Sequence, residues 1–335
     1  MRGRSPVDCG FFMAERFMFD THFPFYHGAP LGDADFRSHW DDFVVDEELP
    51  PMEFGQGEHV YLQIRKRGVN TEWLGRQLAD ALGIHPNDVG YCGLKDRHAT
   101  TSQWFSLYLP KLKDLDGKAL LAGIEGELEL LQQTRATKKL RRGMHSANHF
   151  MIHLRNLSGC QDALALRLQL IQQQGVPNYF GEQRFGIEGQ NLPAAQAWLE
   201  EKQRIKRSLE GLYLSALRSY VFNAILRARL QTSSLSELQT LTGALWGRGR
   251  LPADYSEFEH SALPAALGPL LNALEHKGLN QERRALWLQP SDLRWQQCGP
   301  REVQLRFSLQ PGQYATSLLR ECVTLKDMSI KIRCS

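Results

Sequence analysis

The run Gly90-Tyr-Cys-Gly-Leu-Lys-Asp-Arg-His-Ala-Thr-Thr-Ser-Gln103 sets one carboxylate, Asp96, between Lys95 and Arg97 on a glycine-punctuated turn. A free aspartate titrates at about 3.9, and neighbouring cations lower that further. An acid in this setting is ionised at neutral pH. Such a group is a poor general acid or base and a serviceable nucleophile or electrostatic stabiliser. The plain alternative is a surface turn with solvated ion pairs. The length of the pattern, more than the tripeptide, favours chemistry.

Two acid-free basic clusters come next: Arg135, Lys138, Lys139, Arg141 and Arg142, then Lys202, Arg204, Lys206 and Arg207. A net charge of +3 over 335 residues does not by itself point to nucleic acid. Positive charge concentrated in this way fits a surface that tracks phosphates, although each cluster alone is also what a solvated loop looks like. Phe43, Phe150 and Tyr314 each follow a short polar segment at the edge of a strand or helix. A ring so placed can stack on an extruded base, worth about 1–3 kcal/mol, and phenylalanine in a strand is also ordinary core.

Other chemistries find little support. His145, His149 and His153 would line one face of a helix, but residues 150–154 read as a strand and no carboxylate accompanies them, so no metal site is expected. Gly55-Gln-Gly57 lacks the lysine of a phosphate loop, and Lys95-Asp-Arg-His is not the kinase order, which argues against nucleotide hydrolysis. The six cysteines, at 9, 92, 160, 298, 322 and 334, form no C-x-x-C pair and fit a reducing compartment. No apolar run approaches the roughly 20 residues that span a bilayer. A cytoplasmic protein with no membrane association is expected.

Positioning these residues falls to recognisable elements. Phe43–Glu48 and Val60–Arg65 read as strands joined through Gly55-Gln-Gly57, with Val60, Leu62 and Ile64 on one face. Residues 71–82 read as a helix capped by Asn70 or Thr71, striped by Leu74, Leu78, Ala81 and Leu82, and ended by Gly83. A short strand near Val89 leads into the Asp96 turn, and Trp104–Leu109 and Phe150–Arg155 are further strands. Helices follow over 162–174, from Asn191 onward, and over 209–230, where Leu214, Leu217, Val221 and Ile225 share a face. Residues 231–280 read as helical pieces joined by loops. Val303–Leu309 is a period-two strand, and Pro311-Gly312 turns it into a last helix with Tyr314, Leu318 and Cys322 on one side. Strands at both ends with helices between them imply a sheet-based domain interrupted by a helical insertion. Residues 1–17 read as a weakly structured extension.

The chain resembles the TruD family of tRNA pseudouridine synthases from about His27 to Asp327. The likeness rests on Asp42-Phe-Val-Val45, Gly57-Glu-His59, Gly93-Leu-Lys-Asp-Arg-His-Ala99 with Gln103, Gly175–Gly186, Ala216-Leu-Arg-Ser219 with Phe222-Asn223, and Ala315-Thr-Ser317 with Arg320-Glu321. The resemblance implies an α+β fold: a pseudouridine-synthase-type catalytic domain on a mainly antiparallel or mixed sheet, formed by 18–175 and 277–335, with a helix-rich TruD-specific domain inserted over 176–276. It implies conversion of uridine to pseudouridine in transfer RNA, at position 13 in bacterial members. It carries the nucleophile onto Asp96, uridine contacts onto Phe43, Asn148, Phe150 and Tyr314, and the basic partner of the nucleophile onto Arg37. Tyr314 departs from the usual Phe of its motif, and the insertion is short around Trp246–Glu259.

The residues fit that chemistry. Isomerisation conserves every atom of the substrate, so it needs no redox or energy cofactor. Asp96 must be ionised, and Lys95, Arg97 or Arg37 can keep it so. The carboxylate is expected to be dry and flanked by cations. Asn148 has both a donor and an acceptor with which to read a uracil edge, and the basic clusters would hold the RNA backbone without reading sequence. A monomer acting on tRNA is expected. Two other readings remain open: an RNA-binding module without turnover, and a nucleoside hydrolase, which would want a second carboxylate across the scissile bond.

Overall fold

The computed structural model describes residues 17–111, 114–200 and 203–329. The extension 1–17 therefore lies almost wholly outside the described residues, as do Cys9, Lys202 and Cys334. The described residues divide into two compact units, a larger one within 25–181, 233–242 and 285–329 and a smaller one within 17–24, 182–232 and 243–284. The divisions between the units fall at 181/182 and 284/285, and residues 233–242 belong to the larger unit.

The larger unit is built on a mixed, mainly antiparallel sheet. Its strands are β1 (Asp33–Phe36), β2 (Phe43–Glu48), β3 (His59–Arg67), β4 (Val89–Tyr91), β5 (Thr100–Tyr108), β6 (Glu127–Ala136), β7 (Ala147–Leu154) and β8 (Val176–Pro177). After β9 (Thr242–Leu245) and β10 (Glu282–Ala285), which pair with each other, come β11 (Trp287–Leu288), β12 (Ser291–Gly299), β13 (Glu302–Leu309) and β14 (Thr324–Asp327). The main sheet runs β12-β13-β7-β2-β5-β3-β6, with β4 also on β5. Its β2–β5 pair is parallel and places Val45 opposite Thr101. Separately, β1 and β14 pair in parallel, with Phe36 opposite Asp327. Strands that close on partners some 290 residues away are not visible in local periodicity, and neither β1 nor β14 was expected; β6 and β12 are largely exposed strands that were also not expected, although β6 opens on the alternation Glu127-Leu-Glu-Leu130.

Alternation decides the core. Val60, Leu62 and Ile64 of β3 pack with Phe105 and Leu107 of β5 under helix α1 (Thr71–Leu82). Asn70 Oδ1 accepts the N–H of Glu72 and Trp73, at 2.9 and 3.2 Å, and Gly83 ends the helix at φ +63°. Ala81 is exposed, and the buried face runs instead through Leu74, Gly75, Leu78 and Ala79. Gly75 faces the Tyr91 ring of β4, where a Cβ would make only an ordinary contact at 3.5 Å. A second cluster joins Phe43, Val45, Phe150, Ile152 and Phe307 to Leu164, Leu168 and Ile171 of α3 (Gln161–Gln174), which follows the short α2 (Gly117–Ala122).

The smaller unit is helical, with α4 (Asn191–Glu200) and the 26-residue α5 (Arg207–Thr232), whose Leu214, Leu217, Val221 and Ile225 are buried. The short α6 (Leu235–Leu238) belongs to the larger unit, and α7 (Ala253–Ser261) and α8 (Gly268–His276) complete the smaller one. The last helix, α9, is a single turn, Ala315–Leu319, and does not carry Cys322. It stops where Glu321, fully buried, turns to accept the N–H of Tyr26 and His27 at 2.9 and 3.1 Å, and the chain leaves for β14. No described helix is long and apolar enough to cross a membrane.

Candidate active site

The Asp96 turn spans the gap between β4 and β5, and its backbone is tied down on several sides. Thr71, buried at the start of α1, accepts the Lys95 N–H at 3.1 Å on its Oγ1 and donates to Gln103 Oε1 at 2.9 Å. Gln103 Nε2 in turn donates to the Gly93 carbonyl. Arg97 does not face Asp96; its Nε donates to the Gly68 carbonyl at 3.0 Å. His98 stacks on Trp40 with ring centres 5.6 Å apart and planes 5° from parallel. Gly90 has to be glycine here, because a Cβ would fall 2.3 Å from the Leu140 carbonyl oxygen.

Each Asp96 oxygen has a partner. Oδ1 accepts the His98 N–H at 2.9 Å, and Oδ2 accepts from Arg37 Nη1. The side chain is 34 % exposed, so the carboxylate is not dry as expected but open to a ligand on one side. Arg37 has a left-handed backbone, φ +60°, which is costly for a non-glycine residue and common at functional positions. Its guanidinium lies 4.9 Å from the Phe36 ring centre and 6.0 Å from that of Phe43, and it is 7 % exposed. Two further donors go to Asp327, Nε to Oδ1 at 3.2 Å and Nη2 to Oδ2. Burial raises the Asp327 acid, but hydrogen bonds from Arg37 and Ser329 outweigh it and hold the group below its ordinary value.

Lys95 turns the other way. Its Nζ pairs with Glu47 Oε2 at 2.8 Å and donates to Asn148 Oδ1. Asn148 Nδ2 donates to His145 Nε2 at 3.1 Å, which requires a neutral ring with its proton on Nδ1. Burial, with Lys95 nearby, pushes His145 down to about 4, in keeping with that role. Both ends of the Asn148 amide are thus committed to protein. Lys66, also buried, donates to the Val69 carbonyl at 2.8 Å; burial pushes it down to about 8, against the pull of Asp96. Burial holds the Cys92 thiol up at about 12, inert beside the turn.

Among the rings, Phe43 and Phe150 lie 6.0 Å apart, tilted by 35°, and Phe150 stacks on Phe307 at 5.3 Å. Both are under a tenth exposed. The structure therefore brings together Asp96, Arg37, Phe43 and Phe150, and, through Lys95, Asn148. Tyr314 is half-buried at the start of α9, its ring 5.8 Å from that of Phe180, and its neighbour Ala315 shares the core of Phe43 and Phe150. Of the basic residues, Arg135 lies on β6 with Nη1 on the Gly57 carbonyl at 2.9 Å, and Lys139 Nζ reaches the Asn87 carbonyl. Lys138, Arg141 and Arg142 are exposed. That segment adjoins the active turn, since Gly143 N–H donates to the Cys92 carbonyl at 2.7 Å. Arg204, Lys206 and Arg207 are exposed on the smaller unit.

Glu47 and Asp327 were given no role from sequence, Thr71 only that of a possible helix cap, and His145 was weighed only as a metal ligand. Glu47 had a usable signal: in β2 it shares the inward face with Phe43 and Val45, and a glutamate at an apolar position of a period-two strand is a buried charge seeking a partner. Asp327 had none, because its role depends on the β1–β14 pairing. His149 and His153 face carboxylates rather than one another, Glu48 at 2.9 Å and Glu302 at 3.1 Å.

Comparison with known proteins agrees with this arrangement. The family model described as tRNA pseudouridine synthase D (TruD) matches residues 25–192. The tRNA pseudouridine synthase D of Cellvibrio japonicus is 43 % identical, over 94 % of this chain and 96 % of its own length. The protein of the same name from Aeromonas hydrophila is 39 % identical, over 90 % and 94 %. The crystal structure of a TruD-type protein from Methanosarcina mazei superposes with a TM-score of 0.59 over 91 % of this chain and 95 % of that one; at 19 % identity it speaks for the fold alone. On these grounds the chain belongs to the TruD family of tRNA pseudouridine synthases.

Proposed function

We propose that this chain converts uridine to pseudouridine in transfer RNA, at position 13, with Asp96 as the nucleophile. The observation that carries this reading is the state of the Asp96 carboxylate: fixed by the His98 amide and the Arg37 guanidinium, yet one-third exposed. A group held but not covered is ready to meet a reacting atom without reorganising.

The reaction breaks the C1′–N1 bond, turns the base, and forms C1′–C5, with the C5 proton leaving to solvent and N1 taking one up. The Asp96 carboxylate adds to the nucleoside, at C1′ or at C6 of the base, and is released again when the carbon–carbon bond is complete. Arg37 supplies the counter-charge as the carboxylate bonds and departs. Extruding the base costs a few kcal/mol, which stacking on an aromatic ring offsets. Phe43, whose ring centre lies 6.0 Å from the Arg37 guanidinium, and Phe150, tilted against Phe43, are the rings on one side, and Tyr314 takes the opposite side of the uracil. Asn148 contacts the base edge by exchanging its bond with His145 or Lys95 for one with uracil. Lys138, Arg141 and Arg142, next to the active turn, hold the phosphates, and Arg204, Lys206 and Arg207 on the inserted unit are further phosphate contacts.

The catalytic part is the larger unit, within 25–181, 233–242 and 285–329, and the segments 182–232 and 243–284 of the smaller unit are the insertion. The enzyme acts as a monomer in the cytoplasm, where its substrate is. The test is incubation with an unmodified tRNA transcript carrying tritium at uridine C5. Tritium release, with the product mapped to position 13, supports the reading, and its absence refutes it. Asp327, a second carboxylate one guanidinium away from Asp96, is the one feature that favours nucleoside hydrolysis. Free uracil among the products would identify that reaction.

A further inference from the structure

The clamp on Arg37 comes from the last described strand of the chain. β1 ends at Phe36, and the parallel register of β14 sets Phe36 opposite Asp327. Arg37 follows with a left-handed backbone that turns its side chain back over the Phe36 ring. Asp327 takes the Nε and Nη2 edge of the guanidinium, which leaves Nη1 as the donor that meets Asp96 Oδ2. The carboxylate is itself fixed, because its Oδ1 accepts the Ser329 N–H at 3.0 Å.

We propose that Asp327 is the positioning residue of this site: through Arg37 it sets where the Asp96 carboxylate points and how much of its charge is neutralised. Two physical arguments support the assignment. A guanidinium is a rigid planar fork, so fixing one edge fixes the direction of the other. A buried cation shared by two carboxylates also leaves the group with a net negative charge, so the one guanidinium that hydrogen-bonds to Asp96 does not fully neutralise it. A lysine at 37 is a single point donor and cannot bridge in this way. The C-terminal strand is therefore part of the catalytic apparatus and not only a cover for the sheet. The inference rests on the reading of Asp96 as nucleophile.

The test is single-turnover pseudouridine formation on a tRNA transcript, at saturating enzyme, together with tRNA affinity and the thermal midpoint. Asp327→Asn keeps the shape and the Ser329 acceptor but presents an amide N–H₂ to Arg37 Nη2. It is expected to slow the chemical step by at least about tenfold while tRNA affinity stays within about threefold. Asp327→Glu, which keeps the charge, recovers part of the rate. Lys326→Ala is the control for strand integrity, since it removes the exposed pair with Asp33 (2.7 Å) one residue away and should leave the rate within about twofold. In an Arg37→Lys background, Asp327→Asn should cost less than about threefold more, because the fork it orients is gone. The proposal is overturned if Asp327→Asn reacts within twofold of wild type, if Lys326→Ala slows the step as much, or if the Arg37 and Asp327 losses simply multiply. Should Asp327→Asn not fold, the Asp327→Glu and Arg37→Lys pair, singly and combined, decides by the same multiplication rule. A wild-type enzyme that makes no pseudouridine refutes the functional reading instead, which keeps the two failures apart.

Discussion

Lys95 and Glu47 form an ion pair of 2.8 Å in which the two side chains are only 6 % and 0 % exposed. Lys95 is the residue immediately before Asp96, yet its charge is spent on β2 rather than on the nucleophile. The pair fastens the active turn to the sheet. Removing one partner of a buried pair strands the other charge, at a cost of about 3–5 kcal/mol.

Glu47→Gln should therefore destabilise the protein by about 3 kcal/mol, measured by urea unfolding at neutral pH. Adding Lys95→Met should recover part of that loss, since no lone charge then remains buried. If the single variant unfolds within 0.5 kcal/mol of wild type, the pair has no such role.

Gln103 links two parts of the turn, accepting from Thr71 and donating to the Gly93 carbonyl, and it is fully buried. Gln103→Leu leaves both groups without their partner, which costs about 1–3 kcal/mol. The looser turn should also slow pseudouridine formation by about 10- to 100-fold at unchanged tRNA affinity. A rate equal to wild type would show that the turn is held by its other contacts.

His145 gives the site a pH dependence of predictable sign. Its folded value of about 4 lies below the ordinary 6.5 because burial and Lys95 disfavour the charged ring. The unfolded chain thus binds the proton more readily, and stability rises with pH across this window. The contribution is complete above about 6.5 and is lost as pH falls toward 4, on the order of 1–3 kcal/mol. Unfolding free energies of wild type and His145→Gln, compared from pH 7 to pH 4.5, should converge as the pH falls. Parallel curves would contradict the neutral, hydrogen-bonded ring.

These contacts also mark how far the sequence could be read. Helix α1 was legible because Asn70, Leu74, Leu78 and Gly83 are local signals that the structure uses as written, and β13 because alternation along a half-buried strand is local too; β3 was legible from its Val60, Leu62 and Ile64 face, although Tyr61 on the other face is also buried. Asp96 stood out by motif, and Arg37 by resemblance. What joins them was not legible. Arg37 meets Asp96 only because β1 and β14 pair across almost the whole chain, and Lys95 turns away from Asp96 because β2 brings Glu47 within reach. Arg97 illustrates the same limit: adjacent in sequence to Asp96, it is turned outward to the Gly68 carbonyl. Charge order along a turn does not determine which charges face each other.

The most direct measurement is single-turnover pseudouridine formation by Asp96→Asn on a fully unmodified tRNA transcript, with tRNA binding followed in parallel. Asparagine keeps the His98 contact and the shape of the turn but cannot act as an anionic nucleophile. The rate should fall by at least about 10³-fold, with affinity within about threefold of wild type. Pseudouridine made at an undiminished rate would contradict the assignment of the nucleophile and the mechanism built on it.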